Sequence, residues 1–170
     1  FFDPCAPPRR HVLDGSFDAT WACVTPVRGR YTWAYFDYVE DPASPTGGWL
    51  YLLNDWVAMK GSIPSTCFNL FTATTGGGTE SWVIKVYGDQ TVWVQKNGDV
   101  VQERMAMGDS SGAAGFGSSP NMEEPHTIYE LRFPASTGIF VMRLGDPVRV
   151  LPSVGGSGGC EMAEEPNEFR

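Results

Sequence analysis

Positive charge is scarce in this chain. Twelve basic residues stand against 20 acidic ones, a net charge of −8. Nucleic-acid binding needs a basic footprint, so no nucleic-acid partner is expected. Charge of either sign is thin, at 19% of residues. No run of about 18 apolar residues occurs, so no transmembrane segment is expected. Histidine is limited to His11 and His126. No G-x-S-x-G phrase surrounds a serine, so an activated nucleophile has no local context. No C-x-x-C pair occurs and no D-x-D-x-D-G loop, which removes the usual zinc and EF-hand patterns. The chain opens on F-F-D-P without an initiator Met or a charged and apolar leader. A removed signal peptide is the expected cause, with a trimmed chain as the alternative.

What is present suits one domain of 170 residues with appended ends. Hydrophobic residues reach 42% and aromatics 13%, too many for a disordered body. Glycine (20) and proline (13) are abundant, as expected of many turns between short strands. Four cysteines lie at 5, 23, 67 and 160. An even, widely spaced set reads as disulfides in an oxidising compartment, hence a secreted or cell-surface location. Three pairings are open. The favoured one joins Cys23 to Cys67 and Cys5 to Cys160, the second tying the termini together.

Alternation of apolar and polar residues predicts strands along most of the chain. Residues 30–40 (R-Y-T-W-A-Y-F-D-Y-V-E) put Tyr31, Trp33 and Tyr35 on one face. Residues 49–59 read as a buried strand ending near Asn54 and Asp55, and 66–74 as another. Residues 81–87, 91–96 and 99–105 read as a three-strand meander. Asn97-Gly98 is its type I′ hairpin turn. Residues 106–125 read as a long small-residue loop, of a kind often functional or assembly-related. Residues 126–134 alternate again, and 138–144 and 148–151 close the fold. The pattern predicts an all-β fold: an antiparallel two-sheet β-sandwich, jelly-roll or immunoglobulin-like, of about nine strands with extended termini. A closed barrel is the alternative. Residues 1–10 form an extended arm, 11–151 the domain, and 152–170 a Gly/Ser-rich, then acidic tail.

Candidate chemistry is sparse. Asp37, Asp55 and Glu130 lie in or beside apolar strands and could serve as paired carboxylates for glycoside hydrolysis. With 20 acidic residues such coincidences are cheap, and no enzyme is expected. No cofactor is expected either. A structural Ca²⁺ could sit on Asp14, Asp18 or Asp89, although turn aspartates more commonly cap their own backbone. Trp33, Trp56 and Trp93 are the candidates for stacking on a sugar ring, against the commoner role of filling a core.

Three phrases carry a family resemblance. L-D-G-S-F-D-A-T-W-A (13–22) resembles the entry strand of DOMON-like and family-nine carbohydrate-binding-like domains. W-L-Y-L-L-N-D-W (49–56) is similar to their second core strand. G-F-G-S-S-P-N with P-H-T-I-Y-E-L-R-F-P (115–134) resembles their late strand. The resemblance covers residues 11–146 in pieces. It implies a secreted β-sandwich that binds sugars, haem or other proteins, and maps no ligand clamp onto this chain.

Two functions follow as expectations. The first is a structural subunit of a cell-surface or filamentous assembly, self-associating or bound to other surface proteins. Its terminal arms (Phe1, Phe2, Pro4 and Phe169) would reach neighbouring subunits. The alternative is a carbohydrate-binding module that takes polysaccharide on exposed tryptophans.

Overall fold

The computed structural model describes residues 3–6, 9–28, 32–43, 47–57, 65–73, 79–87, 92–105, 111–134, 148–156, 159–160 and 167–169. Side chains are described for 3–6, 9–28, 32–43, 47–57, 93, 95–101, 113 and 115–132. Strands dominate. The one helical piece among the described residues is a 3-10 turn at Trp21–Cys23.

The first sheet runs in the order β1 (Val27–Arg28), β2 (Trp33–Glu40), β3 (Gly48–Trp56), β9 (Met122–Pro134), β8 (Ser111–Ser119). Every pairing in it is antiparallel. Register sorts its side chains onto two faces. Trp33, Tyr35, Asp37 and Val39 of β2 stand opposite Asp55, Leu53, Tyr51 and Trp49 of β3. Leu53, Tyr51 and Asp55 stand opposite Glu130, Arg132 and Ile128 of β9. The alternate face carries Leu50, Leu52, Trp56, Tyr129 and Leu131, all fully buried. β3 is buried on both faces, which explains its nearly unbroken apolar text.

Residues 11–24 lie across the first of these faces. Trp21 is fully buried there among Tyr35, Tyr51, Leu53 and Ile128, with Leu13, Phe17 and Val24 packed at the edges. Burying one aromatic side chain of this size contributes about 2–3 kcal/mol.

A second set of strands pairs in the order β11 (Gly159–Cys160), β10 (Val148–Gly156), β4 (Ser65–Ala73), β5 (Thr79–Tyr87), β6 (Val92–Lys96), β7 (Asp99–Met105). β12 (Asn167–Phe169) pairs with β10. The meander expected over 81–105 forms as β5, β6 and β7, with Asn97 (φ 50°) and Gly98 (φ 91°) at the hairpin tip.

Three expectations need correction. Residues 106–125 are not one long loop: 111–119 form β8, which turns at Pro120-Asn121 into β9. Small residues have weak strand preference, and pairing with β9 overrides it. Strand pairing also does not stop at residue 151, since β10 runs on to Gly156 and β12 joins it. The disulfide is Cys5–Cys23, not Cys23–Cys67 or Cys5–Cys160, because residues 3–24 fold back on themselves. The side chains of Cys67 and Cys160 lie outside the described residues. Of the described N-terminal arm, Asp3, Cys5, Ala6 and Arg10 are exposed, and Arg9 is tied to Asp37. Pro4 is half-buried in a turn next to the Cys5–Cys23 bond, and Phe169 sits opposite Val148 in β12. Phe1 and Phe2, the expected strand over 138–144 and the Asp89 turn lie outside the described residues.

Candidate functional site: a buried polar face

The face beneath residues 11–24 gathers Asp37, Asp55, His126 and Glu130 under one cover. All four are buried, and each is engaged.

Glu130 occupies the centre. Its Oε1 accepts a hydrogen bond from Trp21 Nε1 at 2.7 Å. Its Oε2 accepts from the backbone N–H of Asp14 (2.9 Å) and of Gly15 (2.7 Å). The Asp14-Gly15 turn makes this possible. Asp14 Oδ1 accepts the Ser16 N–H at 2.9 Å, and Gly15 takes a positive φ of 76° that a side chain would disfavour. Burial pushes the Glu130 carboxyl up to about 7, and the three N–H donors pull the other way.

One flank is an ion-pair chain. Arg9 donates from Nε and Nη2 to the two oxygens of Asp37, at 2.9 and 2.8 Å. His11 Nε2 meets Asp37 Oδ2 at 2.8 Å, and His11 Nδ1 meets Thr20 Oγ1 at 2.7 Å. The Thr20 hydroxyl donates to Asp18, so it must accept from His11 Nδ1. The imidazole also stacks on Trp21, with centroids 3.7 Å apart and planes 20° from parallel. Burial alone would raise the Asp37 carboxyl. Hydrogen bonds from His11 and Arg9 offset that and hold it below the ordinary carboxylate range.

The other flank centres on Asp55. His126 Nε2 bonds to Asp55 Oδ1, and His126 Nδ1 donates to the Glu124 carbonyl at 2.7 Å. Ser119 Oγ donates to Asp55 Oδ2 at 2.6 Å. Asn121 Nδ2 lies 2.8 Å from Asp55 Oδ2 and 2.8 Å from Tyr35 Oη. Serine, histidine and aspartate are thus together, but not as a proton relay. The hydroxyl and the imidazole both point at the carboxylate, and neither prepares the other for attack.

The carboxylates considered for glycoside hydrolysis are therefore closed off, each committed to holding neighbouring chain. Asp14 and Asp18 cap backbone N–H groups of Ser16, Val12 and Thr20. Among the described residues no group of three or more His, Cys, Asp or Glu is placed to hold a metal. The tryptophan candidates separate. Trp56 is fully buried and cannot stack on a sugar. Trp33 is half-buried with the Arg28 guanidinium 5.5 Å from its ring centroid. Trp93 is half-buried. Trp49 lies under Arg132 at 4.3 Å.

Three residues of this site were not foreseen in their roles: Trp21, Asn121 and Arg9. A D-G turn followed six residues later by Trp, with Glu130 between Tyr129 and Leu131 in a late strand, is the signal that could have found the first. Compared with family models, with curated proteins and with solved structures, the chain matches none. Among the described residues no helix is long and apolar enough to cross a membrane.

Proposed function

We propose that the chain is a non-catalytic extracellular β-sandwich, its two sets of strands facing each other, that serves as a structural subunit of a surface or filamentous assembly. One observation carries this reading: the buried Asp37 and Glu130 are spent on fastening residues 9–24 to the sheet, and the buried Asp55 and His126 on holding residues 119–124. Such a face supplies rigidity rather than turnover. The Cys5–Cys23 bond supports an oxidising compartment.

The phrases that carry the DOMON-like resemblance are in contact. Two of them, L-D-G…W and Y-E-L, meet physically through Glu130. The sugar-binding alternative draws less support, since Trp56 is in the core and Trp33 and Trp49 lie beside cations.

The test is the size of the native, unreduced protein by electron microscopy and light scattering. Regular polymers or oligomers are expected. A monomer of 18.6 kDa at all concentrations overturns the reading and turns attention to polysaccharide screening.

A further inference from the structure

The sheet ends among the described residues are not alike. β1 has two residues, one of them Arg28, and follows Pro26. β11 also has two residues. β7 carries Asp99, Glu103 and Arg104, and its register against β6 shifts between Val92 and Gln95. Shortness, charge, proline and bulges are the devices that keep a sheet edge from pairing with another chain. β8 is different. It has nine residues, S-G-A-A-G-F-G-S-S, with no charge and no proline. From Ser111 to Gly117 it pairs with β9 in unbroken register, and a shift occurs only beyond Gly117. Its Phe116 side chain is 56% exposed.

We infer that β8 is an assembly edge, pairing antiparallel with β8 of a second copy of this chain. The inference rests on the structural-subunit reading and names its contact. Charge selects the occupant. Each copy carries a net charge of −8, so most surface-to-surface approaches set like charges against each other. A two-fold pairing of β8 with itself opposes none, because the strand has none. A self-complementary patch of this kind closes on itself as an isologous contact.

The regular stretch 111–117 also sets a register. Centred on Ala114, antiparallel self-pairing places Ser111 opposite Gly117, Gly112 opposite Phe116 and Ala113 opposite Gly115. Each exposed Phe116 ring then lies across from a glycine of the other copy. There it covers backbone that has no side chain of its own. Two five-stranded sheets would run on as one through this edge.

The experiment uses the full, unreduced chain. Sedimentation and light scattering are run across concentration, with amide hydrogen exchange on the same samples. Association should slow exchange within residues 111–117 as concentration rises. Phe116→Lys puts a cation at the edge and should weaken self-association roughly tenfold or more, with circular dichroism and melting unchanged. Should that variant misfold, the exchange data on the unaltered chain decide alone: protection gained at 111–117 supports the pairing, and protection gained elsewhere or nowhere overturns it. Assemblies that persist in Phe116→Lys, with exchange at 111–117 unaffected, sink the edge contact but leave the structural-subunit reading standing. A monomer throughout sinks both.

Discussion

Asp37 and Glu130 share one face and one cover, yet their environments act in opposite directions. Asp37 faces the His11 ring and the Arg9 guanidinium, and its carboxyl is lowered. Its contribution to stability is complete above the ordinary value of 3.8 and is lost as pH falls through the lower folded value. Glu130 has three N–H donors but no cation, and burial raises it from 4.5 to about 7. Its ionised form costs the folded state above that point. As pH falls from about 7 to 4.5, that cost is removed, a gain of about 3 kcal/mol from this group. Denaturation midpoints followed from pH 8 to pH 3 should therefore rise on first acidification and drop at the acid end. Glu130→Gln should abolish the rise, at a lower overall stability, because its amide N–H₂ would face either Trp21 Nε1–H or the two backbone N–H groups. A rise that persists in Glu130→Gln would mean another group titrates there.

The individual strands differ in how far they could be read in advance. β2, β3 and the meander of β5 to β7 announce themselves through alternation, apolar runs and Asn97-Gly98. β8 does not, because its glycines, alanines and serines carry no periodic signal and owe their conformation to β9. Glycine here is nevertheless specific. A Cβ on Gly115 would stand 2.2 Å from the Gly15 carbonyl oxygen, whereas one on Gly117 would meet nothing within 4 Å. Gly115→Ala must push the Asp14-Gly15 turn off Glu130 and should cost about 1–3 kcal/mol. Gly117→Ala should be close to neutral. Paired melting curves of the two variants make the comparison, and equal losses would contradict the close approach of β8 to the turn. The same contrast shows why the polar face was only half legible. Asp37, Asp55 and Glu130 could be picked out as carboxylates in apolar strands, but their partners sit 26 to 116 residues away in the chain. Spacing along a sequence says nothing about such pairs.

At the scale of the molecule, the N-terminal segment is held by three kinds of tie: a covalent one at Cys5–Cys23, an ionic one at Arg9–Asp37, and neutral donors to Glu130. Cysteine spacing alone left the pairing open, since any of three sets was compatible with the count. The bridge closes a loop of 18 residues, for which chain-entropy loss predicts about 3 kcal/mol. Replacing Cys5 and Cys23 together by Ala should lower unfolding free energy by about that amount. Amide exchange should quicken first in residues 9–24, with β3 and β9 affected least. Uniform acceleration across the first sheet would instead show that the bridge supports the whole fold rather than the segment it closes.

The Gly15–Glu130 contact joins positions 115 residues apart. During synthesis residues 11–24 leave the ribosome before β9 and must therefore wait for it before they can be seated. Until β9 emerges, Trp21 has no carboxylate to meet, and the sheet face that will receive it lacks Ile128. Folding of this chain is then ordered by a contact that closes late, and non-local closure of that kind slows a β-protein. Residues 11–24 would lock only after β9 is made, leaving an interval in which their apolar residues are open to chaperones.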